Sequence, residues 1–170
     1  EDRDLAATLG RLAILWSNIL PFVMLIWALT GAFYPAIDTC AGEKERGTLE
    51  TLLCSPAARS EIVVGKMLNV MTFSAASAML NLLSIMVSGL FIIQAFQQAG
   101  SVLPVGFPPP LSLLWLSLAV IPASALFSSL ALAVAVFARS TKEGQYYLVP
   151  LLLISLPLMT VALLPATELE

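Results

Sequence analysis

Between Asp38 and Lys66 the chain gathers nine of its nineteen charged side chains: Asp38, Glu43, Lys44, Glu45, Arg46, Glu50, Arg59, Glu61 and Lys66. Both flanks of this island are apolar runs too long to be hidden in a soluble core. Residues 12–37 and 62–94 each exceed the roughly 20 residues that a helix needs to cross hydrocarbon. A charged island between two membrane-length segments has one stable place, the surface of a bilayer. Composition agrees: the chain is 59% hydrophobic and 11% charged, against about 45–50% and about 25% in soluble domains. The fold class expected is all-α, a multi-pass transmembrane helix bundle carrying a short amphipathic helix on its cytosolic side.

Four spans follow from the apolar runs, at about 12–37, 62–94, 111–137 and 146–164. Residues 1–11 are polar and mixed. The first span is interrupted by Asn18, Pro21, Gly31 and Pro35, residues that kink a spanning helix where neighbours satisfy the freed backbone. From Pro56 the helical pattern runs to about Gln94, too long for one simple crossing at ~1.5 Å per residue, so its first turns should stand in water, with Gly65 a candidate bend. Asn69, Asn81 and Gln94 are its polar members. They either line a pathway or make interhelical hydrogen bonds of about 1 kcal/mol each. Residues 97–110 are uncharged and rich in Gly and Pro, an irregular connection. The third span carries Pro122 and many small residues, which favour close helix packing. A polar loop, 138–145, precedes the fourth span, which holds Pro150 and Pro157 and opens on Tyr146 and Tyr147 at an interface.

Basic residues set the orientation. Lys44, Arg46, Arg59 and Lys66 in the first loop, with Arg139 and Lys142 in the third, oppose only Arg3 and Arg11. The positive-inside rule makes loops 38–61 and 138–145 cytosolic. The missing initiator Met and the end at Glu170, just past an apolar run, read as an excerpt from a longer protein, and no signal peptide is visible.

Several chemistries lack their parts. There is no histidine, hence no Ser-His protease and no common metal ligand. No phosphate-cradling G-x-x-x-x-G-K-[ST] loop is present, so no nucleotide hydrolysis is expected in this chain. No carboxylate pair sits within a span. Cys40 and Cys54 are too few for a zinc site and read as small semi-buried residues, reduced in the cytosol. A net charge of −3 gives no basic face for nucleic acid. No catalytic residue, cofactor or metal is expected.

The island itself reads as a short amphipathic helix over Glu43–Cys54, followed by a Ser55-Pro56 start to the next helix. On a helical wheel Leu49, Leu52 and Leu53 share one face, and Glu43, Arg46, Gly47 and Glu50 the other. Arg46 is then in reach of Glu43 and Glu50.

The run Gly42-Glu43-Lys44-Glu45, Gly47-Thr48-Leu49-Glu50, Leu52-Leu53 and Ser55-Pro56, with Gly65-Lys66 beyond it, resembles the cytosolic loop of ABC-2 type transporter permeases, closest to the sodium-exporter-like, NatB-like membrane subunits. Residues 138–145 look like that family's next cytosolic loop. Against the full family pattern, the first helix, a large extracytoplasmic segment and the last helix are missing. The resemblance implies a permease subunit of an ATP-driven exporter in the cell membrane, dimeric with a second copy or a paralogue. A separate ABC ATP-binding subunit would hold the ATP and Mg. Glu43, Lys44, Glu45, Arg46, Gly47, Thr48, Leu49, Glu50, Leu52 and Leu53 would couple to that subunit, with Arg139, Lys142 and Glu143 in the second loop. The alternative is a membrane anchor or scaffold that recruits a cytosolic partner and transports nothing.

Overall fold

The computed structural model describes residues 2–98 and 110–161. Most of the expected 97–110 connection and the last residues of the fourth span, 162–164, lie outside the described residues. Every regular element among the described residues is helical: α1 (Asp2–Ile37), a π turn (Asp38–Gly42), α2 (Glu43–Glu45), α3 (Thr48–Leu53), α4 (Arg59–Gln98), α5 (Pro110–Ala135) and α6 (Thr141–Val161). Three helical stretches, Asn18–Glu45, Arg59–Ile92 and Leu111–Ala135, are long and apolar enough to cross a membrane. The fold is the expected all-helical membrane bundle.

The bundle is organised on α1, which packs against α4, α5 and α6. Its buried ridge is Leu20, Met24, Ala28, Ala32 and Ala36, one residue in four, the row that faces a neighbour in helix packing. Val70, Ser74, Ala78 and Leu82 form the matching ridge of α4. Alanines at these contacts let the backbones approach, which is what drives association where lipid is as apolar as the core. The approach is closest at Gly31, where an added Cβ would lie 2.6 Å from Ser77 Oγ. Ser74 Oγ donates across the same seam to Ala28 O at 2.6 Å. One core cluster surrounds Met24, Leu82 and Val120. A second, toward the charged island, joins Ile37, Cys40, Val70, Leu132 and Leu148.

Large apolar side chains such as Leu80, Leu83, Phe91, Leu114 and Trp115 are exposed. Their number on one molecule identifies lipid as the surrounding medium. Ser124 and Ser128 are fully buried in the third span and donate to the carbonyls of Ile121 and Ala125, so packing accounts for them. The interior prolines of α1, α5 and α6 all sit within continuous helix.

The helix boundaries differ from the sequence expectation in several places. The first helix starts at Asp2 and, through the π turn, runs on to Glu45; residues 2–11 contain good helix formers and no proline to stop it. The Ser55-Pro56 pair does not start α4. That helix begins at Arg59, where the Glu61 carboxylate accepts the Ala58 N–H at 3.1 Å, half of a capping box. α5 ends at Ala135, two residues early, and the supposed loop 138–145 is helical from Thr141. Ser140 Oγ accepts the Glu143 N–H while Glu143 accepts the Arg139 N–H. The signal for that start is Ser140-x-x-Glu143.

Candidate functional site

The expected single helix over Glu43–Cys54 is two pieces. Gly47 takes φ +70° between α2 and α3, a left-handed conformation that other residues enter only at a cost. The wheel drawn across this point therefore fails. Arg46 closes α2 and pairs neither with Glu43 nor with Glu50. It reaches back to Asp38 Oδ1 at 2.9 Å, both side chains well exposed. The π turn, widened to i→i+5 bonding, is what brings Asp38 under Arg46.

Three consecutive charged residues then make three different connections. Glu43 pairs with Lys66 of α4, and the same ammonium donates to Thr39 O in the π turn. These side chains are 28% and 15% exposed, so the link is largely shielded from water. Lys44 crosses to the far end of α5, where its ammonium donates to Val136 O and, at 3.1 Å, to Ala138 O. Glu45 reaches the start of α6 and accepts both the N–H and the hydroxyl of Thr141 at 2.9 Å. A cation at a helix C-terminus and an anion at an N-terminus each complement the helix dipole. The tripeptide thus fastens the island to α4, α5 and α6 while it continues α1.

The two polar segments are one structure. Within the second, the Arg139 N–H and then the Tyr147 hydroxyl hold the Glu143 carboxyl below its ordinary value of 4.5. Arg139 and Lys142 are exposed. On the first segment Arg46, Gly47, Thr48 and Glu50 are exposed and Leu49 and Leu52 half-buried. The side chain of Leu53 lies outside the described residues. Cys40 is buried and Cys54 exposed, both as free thiols.

The polar residues of α4 separate. Gln94 is exposed on the helix, whereas Asn69 and Asn81 line a groove of about 720 Å³ between α1 and α4. The groove also takes in Trp27, Tyr34, Asp38, Phe73, Ser77 and Ser84. The sequence reading passed over Ser77 and Ser84, for which the signal was the recurrence of 69, 73, 77, 81 and 84 at helical spacing, and it placed Asp38 only in the charged island.

A family model described as ABC-2 family transporter protein matches residues 7–170. The chain belongs to the ABC-2 transporter family. It is 34% identical over 144 residues to the ABC transporter permease protein NatB of Bacillus subtilis (strain 168), a match that covers 82% of this chain and 35% of that protein. The chain therefore spans about a third of that relative's length. No solved structure matches. As an ABC-2 family member with three apolar helices of membrane length, the chain is an integral membrane protein. Within the Gly42–Pro56 motif of this ABC-2 chain, Glu43, Lys44 and Glu45 are the residues that join the helices at one end.

Proposed function

We propose that this chain is the helical body of a permease subunit of an ATP-driven ABC exporter in the cell membrane, and that a separate ATP-binding subunit docks on the island. The curated relative's name, a permease of an ABC transporter, supports the first part. The observation that carries the second is the fastening of Glu43, Lys44 and Glu45 to three different helices. A force on the island reaches α1 through continuous helix, α4 through the Glu43–Lys66 pair, α5 through Lys44 and α6 through Glu45. An anchor that only held a loop to the bilayer would need none of these ties, which sets the scaffold alternative second. The residues left facing outward, Arg46, Gly47, Thr48, Glu50 and the exposed Arg139 and Lys142, form the docking face. Both island segments lie in the cytosol in this reading, ATP and Mg belong to the partner, and two permease chains assemble with two ATPase subunits.

The test uses the full-length permease expressed with its ATPase. Arg46→Glu with Glu50→Lys alters only exposed charges, so insertion and thermal stability should change by about 1 kcal/mol or less. At an interface, losing such pairs costs ~2–5 kcal/mol, tenfold or more in affinity. Co-purification and transport should both fail. Normal assembly and transport in the double variant would overturn the docking face. A wild-type pair that assembles and hydrolyses ATP yet moves no solute across a liposome would favour the scaffold.

A further inference from the structure

The groove between α1 and α4 holds polar groups that have no hydrogen-bond partner among the described residues. Several hydroxyls elsewhere in the spans turn to a backbone carbonyl: Thr30, Thr72, Ser117, Ser124, Ser128 and Ser155 each donate to a carbonyl three or four residues back. Asn69, Ser77, Asn81 and Ser84 do not; among the described residues their side chains make no hydrogen bond. They stand on one face of α4 and extend over about 22 Å of helix, most of the depth of a bilayer. Amides and hydroxyls held open at this depth are costly unless something polar meets them.

The other lining residues define what that is. Trp27, Tyr34 and Phe73 present partly exposed aromatic surface. The one charged residue among the lining residues is Asp38, at the island end, and no lysine or arginine is among them. Arg46 occupies only Oδ1 of Asp38, which leaves the second carboxylate oxygen for a ligand. No cationic side chain lines the groove to neutralise an anion. A bare hard cation takes about six to eight oxygens within ~2.6 Å, usually with several carboxylates; Asp38 is the one carboxylate among the lining residues, and no group of three or more His, Cys, Asp or Glu side chains occurs among the described residues. The volume, about 720 Å³, falls within the ~300–1,000 Å³ of small-molecule sites. Aromatic faces attract organic cations, and spare amides along the wall hydrogen-bond a polar flank.

We infer that the α1–α4 groove binds an amphipathic organic cation, its charged end at Asp38 and its apolar body against Trp27, Tyr34 and Phe73. This names the substrate class of the permease proposed above and rests on that reading.

The experiment measures equilibrium binding to purified full-length permease in nanodiscs, without ATPase or ATP, so that its outcome does not depend on coupling. The probes are tetraphenylphosphonium and tetraphenylborate, equal in shape and opposite in charge. Tetraphenylphosphonium should bind saturably and tetraphenylborate at least about tenfold more weakly. Asp38→Asn and, separately, Asn81→Leu should each weaken the cation about fivefold or more, a change of roughly 1 kcal/mol, while Ser129→Leu on the exposed face of α5 should not. Equal binding of the two probes overturns the inference, and that comparison needs no variant. Unchanged affinity in both groove variants also overturns it. So does spontaneous cross-linking of Asn81→Cys to a second copy, with Cys40 and Cys54 replaced by Ala, because protein would then fill the groove. A permease that transports but binds no cation refutes this inference and leaves the permease reading standing.

Discussion

Replacing Lys66 by Met removes the one cation that meets both Glu43 and the Thr39 carbonyl. Two charge-assisted hydrogen bonds are lost, at about 1.5–3 kcal/mol each. Breaking a fully buried pair by removing one partner costs ~3–5 kcal/mol. The Glu43 side chain keeps 28% exposure, so water compensates in part, and a loss of about 3 kcal/mol is expected. The decisive measurement is a double-mutant cycle with Glu43→Gln, read by reversible unfolding of the full-length permease in detergent. If the pair is a direct link, the double variant should be less damaged than the sum of the singles, with a coupling of ~1–3 kcal/mol. Transport should stay low in the double variant, because the tie between α2 and α4 is gone even where stability is regained. Additivity within about 0.5 kcal/mol would show that the two side chains do not act on each other. The route of force from the island to α4 would then be wrong.

Two further expectations follow from the same segment. Gly47→Ala should destabilise by ~1–2 kcal/mol, purely through its positive φ, since an added Cβ there meets nothing within 4 Å; Gly47→Asn should cost less, and a thermal melt of the three proteins checks the order. Glu143 has its folded-state value lowered below 4.5 by the Arg139 N–H, so its contribution is fully present above that pH and disappears as pH falls through the lowered value. Wild type should melt above Glu143→Gln at about pH 7, and the gap should narrow as the pH falls below 4.5 and through the lowered value; a gap independent of pH would refute the assignment.

The apolar lengths of this chain determined its class. Segments such as 111–137 have no soluble alternative, and they are legible because hydrophobicity is a local property. The motif Gly42–Pro56 was legible for the same reason: it is contiguous. What the residues of that motif touch was not local. Periodicity could place Glu43, Arg46 and Glu50 on one face only if the helix were continuous, and one left-handed glycine turned them apart. Glu45 caps a helix that begins 96 residues later, and Lys44 bonds carbonyls 92 and 94 residues away. Those meetings exist because α5 and α6 pack against α1 with their adjoining ends beside the island. The groove behaves likewise. Asn69 and Asn81 are visible in the sequence as polar residues in an apolar helix. Whether another helix satisfies them depends on which face α1 covers, and α1 packs Gly31 against Ser77 so that their amides stay open. Side-chain chemistry is written residue by residue, but its partners are chosen by how whole helices cross, and only the tertiary structure fixes that.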